Sequence, residues 1–66
     1  MDYKERLIHE YKELKEKCEK LQIMLDKYYN DTLDFAPNCP YNLLHEQYIY
    51  MKNYLSILSY RLELEV

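Results

Sequence analysis

The sequence predicts an all-α fold, an antiparallel two-helix hairpin that assembles into an oligomeric helical bundle. Three observations predict it. Apolar residues recur at alternating spacings of four and three on both sides of a single break. No Gly occurs in the 66 residues, and both prolines fall in one short stretch, Phe35-Ala36-Pro37-Asn38-Cys39-Pro40, at that break. The second periodic segment carries an extra apolar stripe that one helix partner cannot cover. The chain therefore reads as one helical-hairpin domain over 1–66, with a helix at about 2–29, a loop at about 30–39 and a helix at about 40–64.

In the first helix, Leu7, Tyr11, Leu14, Cys18, Leu21, Leu25 and Tyr28 form an a/d stripe over about three heptads. Glu13 with Lys17 and Glu16 with Lys20 stand four apart on its outer faces, where they support the helix and solvate it. Asn30-Asp31-Thr32-Leu33-Asp34 offers an exit through side chains that compete for backbone hydrogen bonds. The connection leaves room for Leu33 and Phe35 to fold back as a plug over the open end of the hairpin. Pro40 fits a first helical turn, where its missing N–H costs nothing, and this makes Cys39 the N-cap.

The second helix repeats the alternation with Leu44, Tyr48, Met51, Leu55, Leu58 and Leu62. Off that stripe lie Tyr50, Tyr54, Ile57 and Leu64, with Ile49 and Tyr60 close by. A helix apolar over so much of its circumference is buried on more than one side. These four residues are the expected oligomer interface. Helix one adds Ile8, Ile23 and Met24 outside its own stripe.

A chain this short buries too little apolar surface to be comfortably stable alone, and disulfides, a metal or partner subunits are the usual supplements. Cys18 falls mid-way along helix one and Cys39 just before helix two, so the rise per residue puts their sulfurs roughly 15 Å apart in a hairpin. A bridge within one chain is not expected. The start, Met1-Asp2-Tyr3-Lys4-Glu5-Arg6, is charged and has no apolar signal region, and no apolar run approaches membrane-spanning length. The expectation is a cytoplasmic protein with reduced thiols and no membrane partner.

The net charge of −3 argues against duplex nucleic acid, but seven of the nine basic residues lie in the first half, so a local basic stripe can still hold a small anion. Nine tyrosines against one Phe and no Trp suit interfaces or stacked ligands, because Tyr packs a ring and still presents a hydroxyl. Tyr3, Lys4, Tyr11, Lys12 and Lys15 gather by helical spacing near the start of helix one, and Tyr48, Lys52, Tyr60 and Arg61 do so on helix two. A base stacks on Tyr and a phosphate is held by Lys or Arg, so both clusters are candidate nucleotide sites. The bland alternative is interface packing by the tyrosines and solvation by the lysines.

Catalytic groups are not evident. His9, Glu10 and Glu13, and His45-Glu46, are the groupings nearest to a metal-ligand set, but the Glu-x-x-His spacing of carboxylate bundles does not occur. There is no Gly-rich phosphate loop and no nucleophile with a base, and Cys18 sits where a small core residue is wanted. No cofactor and no enzymatic activity are expected.

The stretches Asp2-Tyr3-Lys4-Glu5-Arg6-Leu7-Ile8 and Glu10-Tyr11-Lys12-Glu13-Leu14-Lys15, then Leu43-Leu44-His45-Glu46-Gln47 and Met51-Lys52-Asn53-Tyr54-Leu55 with Leu58, resemble a family of small helical-hairpin proteins first noted in crAss-like phages. Asn38-Cys39-Pro40, followed by Glu46-Gln47 and a Tyr-rich helix, is also similar to the corresponding segment of phage anti-CBASS cyclic-nucleotide sponges. That second resemblance implies a phage-encoded, oligomeric binding protein in the host cytoplasm, one that sequesters a cyclic or modified nucleotide immune signal between subunits without cleaving it. This chain is shorter than most such sponges and lacks their extra N-terminal helix, so their pocket residues do not transfer. The competing expectation is a helical protein–protein interaction module, an inhibitor or assembly adaptor with no small-molecule ligand.

Overall fold

The computed structural model describes residues 2–33 and 37–65. Two helices, α1 (Tyr3–Tyr29) and α2 (Tyr41–Glu65), pack against each other as a hairpin, and no strand occurs among the described residues. The molecule measures 42 × 19 × 16 Å, its long dimension being the length of the helices.

Helix α1 begins at Asp2, whose carboxylate Oδ1 accepts from the backbone N–H of Glu5 at 2.8 Å. That bond satisfies one of the orphan amides of the first turn. The helix ends in a Schellman motif. The Asp31 N–H donates to the Tyr28 carbonyl and the Thr32 N–H to the Lys27 carbonyl, at 3.2 and 2.8 Å. Asp31 takes the left-handed conformation this requires, with φ 60°, in a chain that has no glycine to offer. The exit therefore falls where the polar run predicts it, but the backbone makes most of the bonds. Thr32 alone adds a side-chain bond, from Oγ1 to the Lys27 carbonyl at 3.3 Å.

Helix α2 starts one residue later than the proline suggested. The Pro40 carbonyl accepts from the N–H groups of Leu43 and Leu44, at 3.2 and 3.3 Å, so Pro40 is the N-cap and Cys39 lies outside the helix. Cys39 still makes a contact, because its carbonyl accepts from the Tyr28 hydroxyl at 3.5 Å. Tyr41 stands edge-on to Tyr28 with ring centroids 5.5 Å apart, and it stacks on His45 at 5.8 Å. This aromatic cluster holds the loop end of the hairpin. Leu33 is half-buried there, whereas Phe35, the other half of the expected plug, lies outside the described residues.

The core is the predicted seam. Leu7, Cys18, Leu25 and Leu58 are buried, and the other a/d residues of both helices are half-buried. Met24, expected off the stripe, is half-buried as well. Both cysteines are free thiols, Cys18 buried and Cys39 exposed. Burial pushes the Cys18 thiol above its ordinary range, with the Lys52 ammonium opposing. Outside the seam, Tyr50, Tyr54, Ile57 and Leu64 are all exposed, Leu64 at 86% and Tyr50 at 71%. No helix is long and apolar enough to cross a membrane among the described residues.

Candidate functional site

Two concave sites flank the seam, and each takes residues from both helices. At the end where α1 starts and α2 finishes, Tyr3, Arg6, Leu7, Glu10 and Arg61 line an open cleft of about 300 Å³. The hairpin register brings Arg61 of α2 beside Tyr3 of α1. The guanidinium lies 5.8 Å from the Tyr3 ring centroid and its Nη2 donates to the Tyr3 hydroxyl. Two turns further in, the Tyr54 hydroxyl donates to the Glu10 carboxylate. That bond, with burial and the Glu10 charge adding to it, holds the Tyr54 phenol above its ordinary value of 10, while Arg61 opposes. The bond to Tyr3 in turn raises Arg61, which stays cationic.

On the opposite side of the seam, Lys15, Cys18, Glu19, Gln22, Tyr48, Lys52 and Leu55 line a groove of about 230 Å³. Lys52 sits over the Tyr48 ring, 5.7 Å from its centroid, and the Tyr48 hydroxyl donates to Gln22 Oε1 at 3.3 Å. Each site sets two cations against one carboxylate on a chain that is acidic overall.

The sequence grouped candidate residues along each helix, whereas the structure pairs them across the two. Tyr3 joins Arg61, and Lys15 joins Tyr48 and Lys52. Tyr11 packs half-buried on the seam. Lys4 and Lys12 are exposed and line neither site, and Tyr60 borders a separate shallow depression with Ser56, Ser59 and Glu63. Arg6, Glu10 and Gln22 complete the two sites without having been singled out as ligand residues. Arg6 is three residues from Tyr3, a helical spacing that could have flagged it. His9 pairs with Glu13 at 3.0 Å, and no group of three or more His, Cys, Asp or Glu side chains placed to hold a metal ion occurs among the described residues.

Both recesses of this hairpin are cationic and walled by a tyrosine. Residues 1–64 match the family model described as Sequestin. The chain belongs to the Sequestin family. The family's name is that of a sequestering protein and suggests a binding role. No curated protein and no solved structure matches this Sequestin chain.

Proposed function

We propose that this Sequestin-family hairpin is a phage anti-defence protein that sequesters a cyclic or modified nucleotide signal and leaves it chemically intact. The observation that carries this reading is the terminal cleft. Its residues match the three parts of a nucleotide: the Tyr3 ring for stacking a base, the Arg6 and Arg61 guanidiniums for phosphate, and the Glu10 carboxylate for ribose hydroxyls. Arginine suits the phosphate role because its planar fork binds two oxygens at once. Lys15, Lys52 and Tyr48 repeat the cation-plus-ring pattern on the other side of the seam. The family name supports the holding role, and the anionic ligand is read from the side chains.

A thermal-shift screen against cyclic di- and trinucleotides and cyclic ADP-ribose isomers tests this. A ligand at 100 times its Kd stabilises the fold by about 2.7 kcal/mol. Arg61→Ala and Tyr3→Ala should each weaken binding about tenfold or more, because loss of a stacked base or a paired phosphate costs roughly 1–3 kcal/mol. The nucleotide released on denaturation should be unchanged by mass and chromatography. A complete screen without stabilisation would move the weight to the interaction module, which the exposed Leu43, Tyr50, Ile57 and Leu64 favour. Recovery of a cleaved nucleotide would replace sequestration with catalysis.

A further inference from the structure

A carboxylate is an unexpected wall for a cleft that holds phosphate. In the terminal cleft Glu10 stands beside two guanidiniums, Arg6 and Arg61. Arg6 and Glu10 share one face of α1, four residues apart, and the hairpin register adds Arg61 from α2. Neither arginine is ion-paired with Glu10 among the described residues. The Tyr54 hydroxyl, from the facing helix, donates to the carboxylate instead. A neutral phenol fixes the position of a carboxylate and does not offset its charge. That charge reaches the arginine across the cleft: Arg61 is raised first by its bond to Tyr3 and, among the lesser causes, by Glu10.

We propose that Glu10, positioned by Tyr54, is the specificity-determining residue of the cleft: it admits phosphates that carry one negative charge each and turns away terminal phosphomonoesters. The admitted class is diesters and internal pyrophosphates. The assignment rests on the sequestration reading and narrows its ligand. Charge balance sets the choice. Two guanidiniums and one carboxylate leave the cleft with a single net positive charge, and one phosphodiester group neutralises it. A phosphomonoester carries about −1.5 to −2 at neutral pH. Its second charge enters a site already balanced and gives up water without gaining a partner. The surroundings offer no help, because the chain as a whole carries −3.

Without Glu10, the two arginines would favour the doubly charged group. A unit charge placed about 4 Å from a carboxylate in a solvated cleft weakens binding roughly tenfold. Both classes of nucleotide carry ribose hydroxyls for Glu10 to accept from, so the ribose contact does not separate them. A Glu10 that served only to anchor Tyr54 would affect stability and leave the preference between anions unchanged.

Isothermal titration of the full chain at neutral pH tests this with adenosine 5′-phosphate and its monomethyl ester, and with the corresponding guanosine pair. Within each pair the base and ribose are identical, and only one charge and one methyl group differ. The wild type should bind the methyl ester about tenfold more tightly. Glu10 is exposed, so Glu10→Gln should fold. It keeps an acceptor for Tyr54 but removes the charge, and should abolish or reverse the preference. Tyr54→Phe, which frees the carboxylate, should narrow it. Glu13→Gln removes an exposed carboxylate that lines neither recess and should leave the preference as it is. Circular dichroism checks helicity in each variant. Equal affinities in the wild type, a preference that survives Glu10→Gln, or one that Glu13→Gln removes as well, overturns the proposal and leaves sequestration standing. An unchanged preference in Tyr54→Phe overturns the positioning role of Tyr54. If none of the four anions binds at millimolar concentration, the cleft is not a phosphate site, and the sequestration reading falls with the proposal.

Discussion

Single side chains set the chemistry of the terminal cleft, and Tyr54 is the clearest case. Its hydroxyl donates to Glu10, and a phenolate beside a carboxylate is disfavoured, so its pKa in the fold lies above the ordinary value of 10. A raised folded value means that the bond's contribution is complete below the unfolded pKa and is lost as pH climbs through the folded one. That window is alkaline, and at neutral pH the bond is intact. Glu10→Gln should bring Tyr54 back toward 10, followed by NMR titration of the tyrosine Cζ carbons. An unaltered late titration in this variant would place the cause elsewhere. Tyr3 and Arg61 were candidates from residue type, but their being neighbours was not readable. Spacing reports which side chains share a helix face, whereas contact between positions 3 and 61 depends on the register of the hairpin, and the loop sets that.

At the scale of elements, both helices were legible because alternation of four and three persists along each and only one break interrupts it. The termini were less so. Pro40 looked like a first-turn residue and proved to be the cap, since any carbonyl can accept the first helical bond and proline retains its own. The left-handed Asp31 was hidden because the usual signal, a glycine, is missing. This predicts an easy gain. Asp31→Gly removes the Cβ from a left-handed position and should stabilise the hairpin by up to about 1 kcal/mol in urea unfolding. Asp31→Val should do the reverse, because a β-branched residue is poorly tolerated at that φ. If the two variants unfold alike, the Schellman turn is not what ends α1.

For the whole molecule, stability rests on a narrow base. Leu58 is the one side chain among the described residues with no exposure at all, and Leu7, Cys18 and Leu25 complete the buried set. Truncating a buried leucine to alanine costs about 2–5 kcal/mol, and a 66-residue fold has little more than that in reserve. Leu58→Ala should therefore abolish cooperative thermal unfolding, whereas Leu64→Ala, at an exposed position, should preserve it. Persistence of a sharp transition in Leu58→Ala would show that the seam is not the main source of stability. The sequence announced this shortage through the second stripe, because exposed apolar residues in a regular repeat are what an unfinished core looks like. It could not announce the cleft, whose walls belong to two helices.

The two ends of the hairpin are unequal. The loop end is bound covalently and by the packed rings of Tyr28, Tyr41 and His45, while the terminal end is fastened across the helices by Tyr3 and Arg61 at the surface. Helix termini fray, and local opening is cheapest where few apolar groups must separate. The cleft thus sits at the end that no loop closes, with Leu7 and Leu58 packed just inside it. A bound anion would act as a clasp on that end, slowing its opening, and the chain would have to breathe before the captive could leave. Residence time would then be set less by the strength of any single contact than by how often the helix ends come apart.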